Sequence, residues 1–140
     1  MKILITGCAG FIGSNFAIQF RKKFPKAEIV GIDNFATGKK DAVSKDIIFY
    51  EGSMCDEKFL DKIFQKYKFE YVFHFAYVPR VSFSVEYPAK TTQNNIGGTA
   101  MILEKCRDHK IKRVIYSSSS SIYGGAKKLP TKEKENLPDP

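Results

Sequence analysis

Short apolar runs alternate along this chain with stretches whose apolar residues recur every three or four positions. The run "KILIT" (2–6) suits a strand buried on both faces, and "EIVGID" (28–33), "DIIFYEG" (46–52), "YVFHFA" (71–76) and "KRVIYSSS" (112–119) read as four further strands. Between them, residues 11–24 place Phe11, Ile12, Phe16, Phe20 and Phe24 at helical spacing, with a basic last turn suited to the helix dipole and Pro25 as the stop. Residues 56–68 predict an amphipathic helix with an acidic start that buries Phe59, Leu60, Ile63, Phe64 and Tyr67. A helix over 91–109 would set Ile96, Ala100, Leu103 and Cys106 on one side. Strand, helix and strand in repetition predict an α/β fold, a parallel sheet wrapped by helices. Right-handed crossovers make it a doubly wound sheet of strand order 3-2-1-4-5. From Lys127 the text turns charged, Pro-bearing and aperiodic, which divides the chain into a domain over 1–126 and a loop over 127–140.

Composition narrows the function classes. The formal charge of the 140 residues is +8, but the basic residues are scattered, at 21–23, 39–40 and 127–128. That is the pattern of a solvated surface, and no basic string interleaved with aromatics suggests a nucleic-acid partner. No apolar run approaches the roughly 18 residues of a membrane span. The N-terminus enters a strand directly, without a signal-peptide core and cleavage site. Cys8, Cys55 and Cys106 are odd in number and lack CxxC spacing, so reduced thiols in a cytoplasm are expected. His74 has no second His or Cys at metal spacing and reads as a satisfied strand histidine; no metal is expected.

The candidate chemistry begins at "TGCAGFIGSN" (6–15). Three glycines at 7, 10 and 13 could be a loose turn, a helix–helix contact or a floor for a ligand that needs close backbone approach. Their flanks decide among these. A strand precedes them, a helix follows, and Asp33 ends the second strand twenty positions after Gly13. This is the dinucleotide-binding fingerprint of a Rossmann-type sheet, in its G-x-x-G-x-x-G form. Gly7 turns the chain off the strand, Gly10 leaves room for a pyrophosphate at the helix N-terminus, and Gly13 lets helix and sheet pack closely. Asp33 can accept from both ribose hydroxyls, and its charge disfavours a 2′-phosphate, so NAD is expected over NADP. Lys39 and Lys40 keep NADP in view.

With "DNFATGKK" (33–40), the glycine string resembles the extended short-chain dehydrogenase/reductase family, in its NAD-dependent nucleotide-sugar epimerase/dehydratase branch. The resemblance runs through the whole chain: "VFHFA" (72–76) is similar to the family's H-x-A-A segment, "NNIGGT" (94–99) to its N-x-x-G-T helix, and "YSSSSSIYG" (116–124) to its S-S-S-x-x-V-Y-G string. It implies NAD contacts from Phe11 and Ile12 at the pyrophosphate turn, although both could be core residues. Asn34, Thr37, Gly38 and Lys39 would run beside the adenosine, or form a plain polar turn. Met54, Phe75, Ala76, Tyr77, Asn95 and Ser117 complete the implied cofactor set. Ser119 takes the catalytic serine position, bonding the sugar hydroxyl that is oxidised, with Ser121 and Arg80 toward the substrate. Tyr123 is structural in the family. The implied partner is a nucleotide sugar, and the full-length form is expected to be a homodimer.

Two departures from the family pattern stand out. The family usually places an acid after the glycine of strand three; here Ser53 holds that position and Asp56 comes later. The family's Y-x-x-x-K pair follows the Pro-rich loop after strand five. "ENLPDP" looks like the text just before it, and the chain stops at Pro140. The tyrosine would take the substrate's hydroxyl proton, and the lysine would lower its pKa. The chain is therefore expected to be the N-terminal part of such an enzyme, truncated after strand five, and inactive alone. A non-catalytic dinucleotide-binding module, as sensor or scaffold, is the alternative. An in-frame S-x-Y-x-x-x-K downstream would favour the enzyme.

Overall fold

Strand pairing places the first strand at the centre. The computed structural model describes residues 1–123 and 129–132. Its strands are β1 (Lys2–Thr6), β2 (Glu28–Asp33), β3 (Ile48–Glu51), β4 (Tyr71–His74) and β5 (Arg113–Tyr116), all parallel, in the order β3-β2-β1-β4-β5. That is the predicted doubly wound order, and it brings all carboxyl ends to one edge. The inferred boundary at 126–127 lies outside the described residues.

Alternate residues of the central strands feed two cores. Ile3, Ile5 and Ile29 pack with Ala17 and Phe20 of α1 (Phe11–Lys23). Leu4, Val30, Ile32 and Val72 pack with Leu60, Ile63 and Phe64 of α2 (Glu57–Lys66), and with Ile102 and Cys106 of the last helix, Gly98–Asp108. Both faces of the sheet are thus covered at its central strands, while Ile48 on β3 and Tyr116 on β5, at the edges, stay exposed. Asp56 caps α2 by accepting from the Phe59 amide at 3.0 Å.

Two helical faces differ from expectation. In α1 the buried residues are Gly13, Ser14, Ala17 and Phe20, while Phe11 is 86% and Ile12 56% exposed. The small residues win because they let the helix lie close on the sheet. The helix expected over 91–109 starts earlier and is not uniform. A short α3 (Val81–Glu86) precedes α4 (Pro88–Thr92), whose first residue is the proline that suits that position. A π turn (Gln93–Gly97) then leads into α5 (Gly98–Asp108). The wider turn shifts the phase, so Asn95, Gly98, Ile102, Lys105 and Cys106 face inward. Ile96, Ala100 and Leu103, expected on one side with Cys106, are exposed while Cys106 is buried. The Lys105 side chain is packed against α2, its ammonium 2.7 Å from Asp61 and 3.3 Å from Glu57. No helix among the described residues is long and apolar enough to cross a membrane.

Candidate functional site

A cleft of about 540 Å³ opens at the carboxyl edge of the sheet. Its floor is the glycine turn. Gly7 has φ of 71°, and a Cβ there would lie 2.7 Å from the Ala76 nitrogen. A Cβ on Gly13 would lie within bonding range of the Gly7 carbonyl oxygen. Gly10 differs: its φ of −80° suits any residue, and an added Cβ would stop 3.3 Å from the same oxygen. Gly10 is the N-cap of α1 and brings no side chain to cap it. The amides of Phe11 and Ile12 have no acceptor within the helix and sit on the cleft lining. That is an anion-binding geometry.

Asp33 stands beside this floor, and the backbone aims it. Its Oδ2 accepts from the Ala9 amide at 2.9 Å, and its Oδ1 from the Phe35 amide at 2.8 Å. Each carboxylate oxygen keeps a further lone pair, and the residue lines the cleft. Asn34, Thr37 and Met54 line the cleft as well. Lys40, one of the two lysines that kept NADP in view, pairs with Glu51 at 3.6 Å and sits over the Phe35 ring.

The opposite wall comes from β4, β5 and the loop after β4. Phe75, Ala76 and Tyr77 line it, as do Ser117 and Ser119. Phe75 also packs on Phe16 of α1, tying the wall to the core. The Ser119 hydroxyl donates to Ser121 Oγ at 3.1 Å and accepts from the Ser121 amide at 3.2 Å.

Six of the residues expected at the site are not on the cleft lining. Gly38 packs against Ala9, and the Lys39 amide bonds the Ala9 carbonyl at 3.1 Å, so this loop braces the glycine turn from outside. The Ser53 hydroxyl accepts from the Cys55 amide, within the turn that leads to α2. Arg80 begins α3 and is exposed. Ser121 lies behind Ser119. Asn95 is buried and grips Val78: its Nδ2 donates to the Val78 carbonyl at 3.1 Å and its Oδ1 accepts from the Val78 amide at 2.9 Å. Its neighbour Asn94 lines the cleft instead. Ala36, Gly52, Val78, Pro79 and Ser118 also line it and were not anticipated. Gly52, directly after the third strand, carried a readable signal; the others depend on loop conformation.

His74 touches the cleft but is not available for proton transfer. It is 2% exposed, its Nδ1 is 2.7 Å from Thr6 Oγ1 and its Nε2 is 2.9 Å from Thr99 Oγ1. Burial pushes its pKa down to about 4. The unfolded chain would then bind a proton that the fold refuses, so stability is full above the ordinary histidine range. It should fall as pH drops from about 6.5 to about 4, by about 3 kcal/mol over that window. Urea unfolding at pH 7 and pH 5 checks this, with His74→Gln expected to show a flatter profile.

Among known proteins, the sequence model of the NAD dependent epimerase/dehydratase family matches residues 3–140. The chain belongs to this family. The dTDP-D-glucose 4,6-dehydratase of Dictyostelium discoideum is 40% identical over 129 residues, which cover 88% of this chain and 30% of that protein. The UDP-glucose 4-epimerase of Thermotoga maritima, solved with UDP-glucose, superposes with a TM-score of 0.87 at 37% identity, over 96% of this chain and 44% of that one. The UDP-glucose 4-epimerase of Thermus thermophilus, solved with NAD, gives 0.89 at 30% identity, over 100% and 45%. The chain spans between 30 and 41% of the length of curated relatives that it matches. For an epimerase/dehydratase family member, the open helix N-terminus and the aimed carboxylate are the features that a dinucleotide needs.

Proposed function

We propose that this chain is the NAD-binding part of a nucleotide-sugar epimerase of the UDP-glucose 4-epimerase type. The observation that carries the reading is the bond from the Ala9 amide to Asp33: one arm of the glycine turn orients the acid that would hold the adenosine ribose. The Phe11 and Ile12 amides would take the pyrophosphate, and Asp33 both ribose hydroxyls. Ala76 and Tyr77 would border the nicotinamide side. Bound NAD supplies a hydride acceptor that can return the hydride to the same carbon.

Ser119 sits at the lip of the cleft, where its hydroxyl can re-orient from Ser121 toward a sugar hydroxyl. Among the described residues, no histidine or acid is bonded to it to make it an acyl-transfer nucleophile. The proton acceptor implied by the family, a tyrosine followed four positions later by lysine, would follow the Pro-rich loop. The same literal spacing at Tyr123 and Lys127 falls before that loop. The longer protein is read as a cytoplasmic homodimer, with exposed Val81, Val85 and Leu103 on α3 and α5 as apolar surface for association.

Titration calorimetry of the 140-residue chain with NAD and NADP is the test. Saturable NAD binding is expected, with no turnover of UDP-glucose or UDP-galactose to epimer or 4-keto product. A folded chain that does not bind NAD overturns the proposal. Turnover that persists in Ser119→Ala would remove Ser119 from it. NAD binding without any sugar chemistry in a longer form carrying the Tyr/Lys pair would favour the sensor or scaffold.

A further inference from the structure

His74 is a fully bonded side chain in a place where an aliphatic residue would serve the core equally well, and its bonds can run in only one direction. On one side, Thr6 Oγ1 accepts from the Ala76 amide at 3.1 Å and shares the Phe75 amide, at 3.2 Å, with the Thr6 carbonyl oxygen. With two amide hydrogens directed at its lone pairs, the Thr6 hydroxyl is left to donate its proton to His74 Nδ1. On the other side, Thr99 Oγ1 donates to the Asn95 carbonyl at 2.6 Å. Its proton is spent there, so Thr99 must accept from Nε2–H of His74. The Thr99 end requires the neutral tautomer with the proton on Nε2, and the bonds at the Thr6 end match it.

The chain continues to the cleft. The Asn95 carbonyl held by Thr99 belongs to the π turn, and the Asn95 side chain holds both polar atoms of Val78. Tyr77, Val78 and Pro79 line the cleft, as do the Phe75 and Ala76 residues that bond Thr6. Both ends of one wall segment, 75–76 and 78, are therefore anchored to His74 by hydroxyl or amide links.

We infer that His74 is a positioning residue, which through Thr6 on one side and Thr99–Asn95 on the other sets where the wall at 75–79 stands against a ligand in the cleft. This rests on the dinucleotide reading only for the identity of that ligand. The ring is bonded only by the Thr6 and Thr99 hydroxyls and packs beside the Tyr116 ring, with no carboxylate or ammonium bonded to it among the described residues, so the directed chain persists through the physiological range.

The test begins on the ligand-free chain. Long-range ¹⁵N–¹H spectra of the imidazole are expected to show Nε2 protonated and Nδ1 bare, unchanged from pH 8 to pH 5. Thr99→Val keeps the shape and removes one link; hydrogen exchange at the Val78 amide is expected to quicken by about tenfold, consistent with loss of about 1.4 kcal/mol of protection. Thr99→Ser is expected to restore it. His74→Gln, whose amide can still reach Thr99, is expected to keep more Val78 protection than His74→Phe. A proton on Nδ1, or an unchanged Val78 amide in folded Thr99→Val, overturns the inference. In calorimetry NAD affinity is expected to weaken by about tenfold in Thr99→Val; unchanged affinity alongside a loosened Val78 also overturns it. Absence of NAD binding in the wild-type chain would remove the dinucleotide reading, while tautomer and exchange would still decide the positioning role.

Discussion

Gly13→Ala is expected to destabilise the native fold severely, whereas Gly10→Val is expected to fold firmly and lose NAD. The two glycines belong to one motif, and only their surroundings separate them. A Cβ on Gly13 collides with the Gly7 carbonyl, a backbone atom that itself accepts from the Gly10 amide and cannot swing aside. Overpacking that the core cannot relax costs about 1–3 kcal/mol, and this collision is with main chain on both sides, so a loss above about 4 kcal/mol is expected. Set against the roughly 5–15 kcal/mol by which domains are stable, a loss of that size leaves a thin margin. At Gly10 the backbone is already extended, and the nearest atom to a Cβ is 3.3 Å away. The branches of valine instead enter the cleft above the Phe11 and Ile12 amides. Circular dichroism and urea unfolding should show a folded Gly10→Val protein, and calorimetry should show no NAD heat. Retained affinity there would mean that the phosphates do not lie on this turn.

Asp33→Ala is expected to reverse the cofactor preference, changing the NAD to NADP affinity ratio by about a thousandfold. Each charge-assisted hydrogen bond to a ribose hydroxyl is worth about 1.5–3 kcal/mol, and two are lost together. The repulsion of a 2′-phosphate vanishes with them. The substitution also frees the Ala9 and Phe35 amides, which a phosphate oxygen could then use. Lys40 gains less than its position suggests, because Glu51 and the Phe35 ring hold it. Paired titrations of wild-type and Asp33→Ala protein with both dinucleotides decide the point. A wild-type chain that already prefers NADP would show that Asp33 does not set the choice.

Much of the fold was legible because each signal was local. A five- or six-residue apolar run bounded by glycines or acids reads as a buried strand whatever surrounds it. The alternation with helices then leaves few ways to wind the sheet. The glycine turn and Asp33 were legible for the same reason: their meaning depends on one strand, one turn and one helix. Features that depend on phase or on distant partners were not. Asn94 and Asn95 are adjacent and chemically identical, and only the π turn decides that the first faces the cleft while the second grips Val78. The same turn moved Ile96 and Leu103 outward. Thr6, His74 and Thr99 are separated by 68 and 25 positions, so nothing in the text joins them. For Phe11 and Ile12 helical spacing left core and cofactor contact both open; a helix that approaches the sheet through glycine and alanine leaves these large N-terminal residues outside, on the cleft lining.

The π turn also changes what kind of sequence variation this segment can absorb. Gly97 lies within it, and a side chain there would meet nothing within 4 Å, so the identity of that residue is nearly free. Its count is not. Removing any one residue between 93 and 97 would let the helix rewind to 3.6 residues per turn and rotate everything upstream by about 100° relative to α5. Asn95 would swing away from Val78, although every residue type needed for the contact would still be present. For this stretch, insertions and deletions rather than substitutions are the variants that erase the site, and an alignment that slides one gap across it would mistake which asparagine does which job.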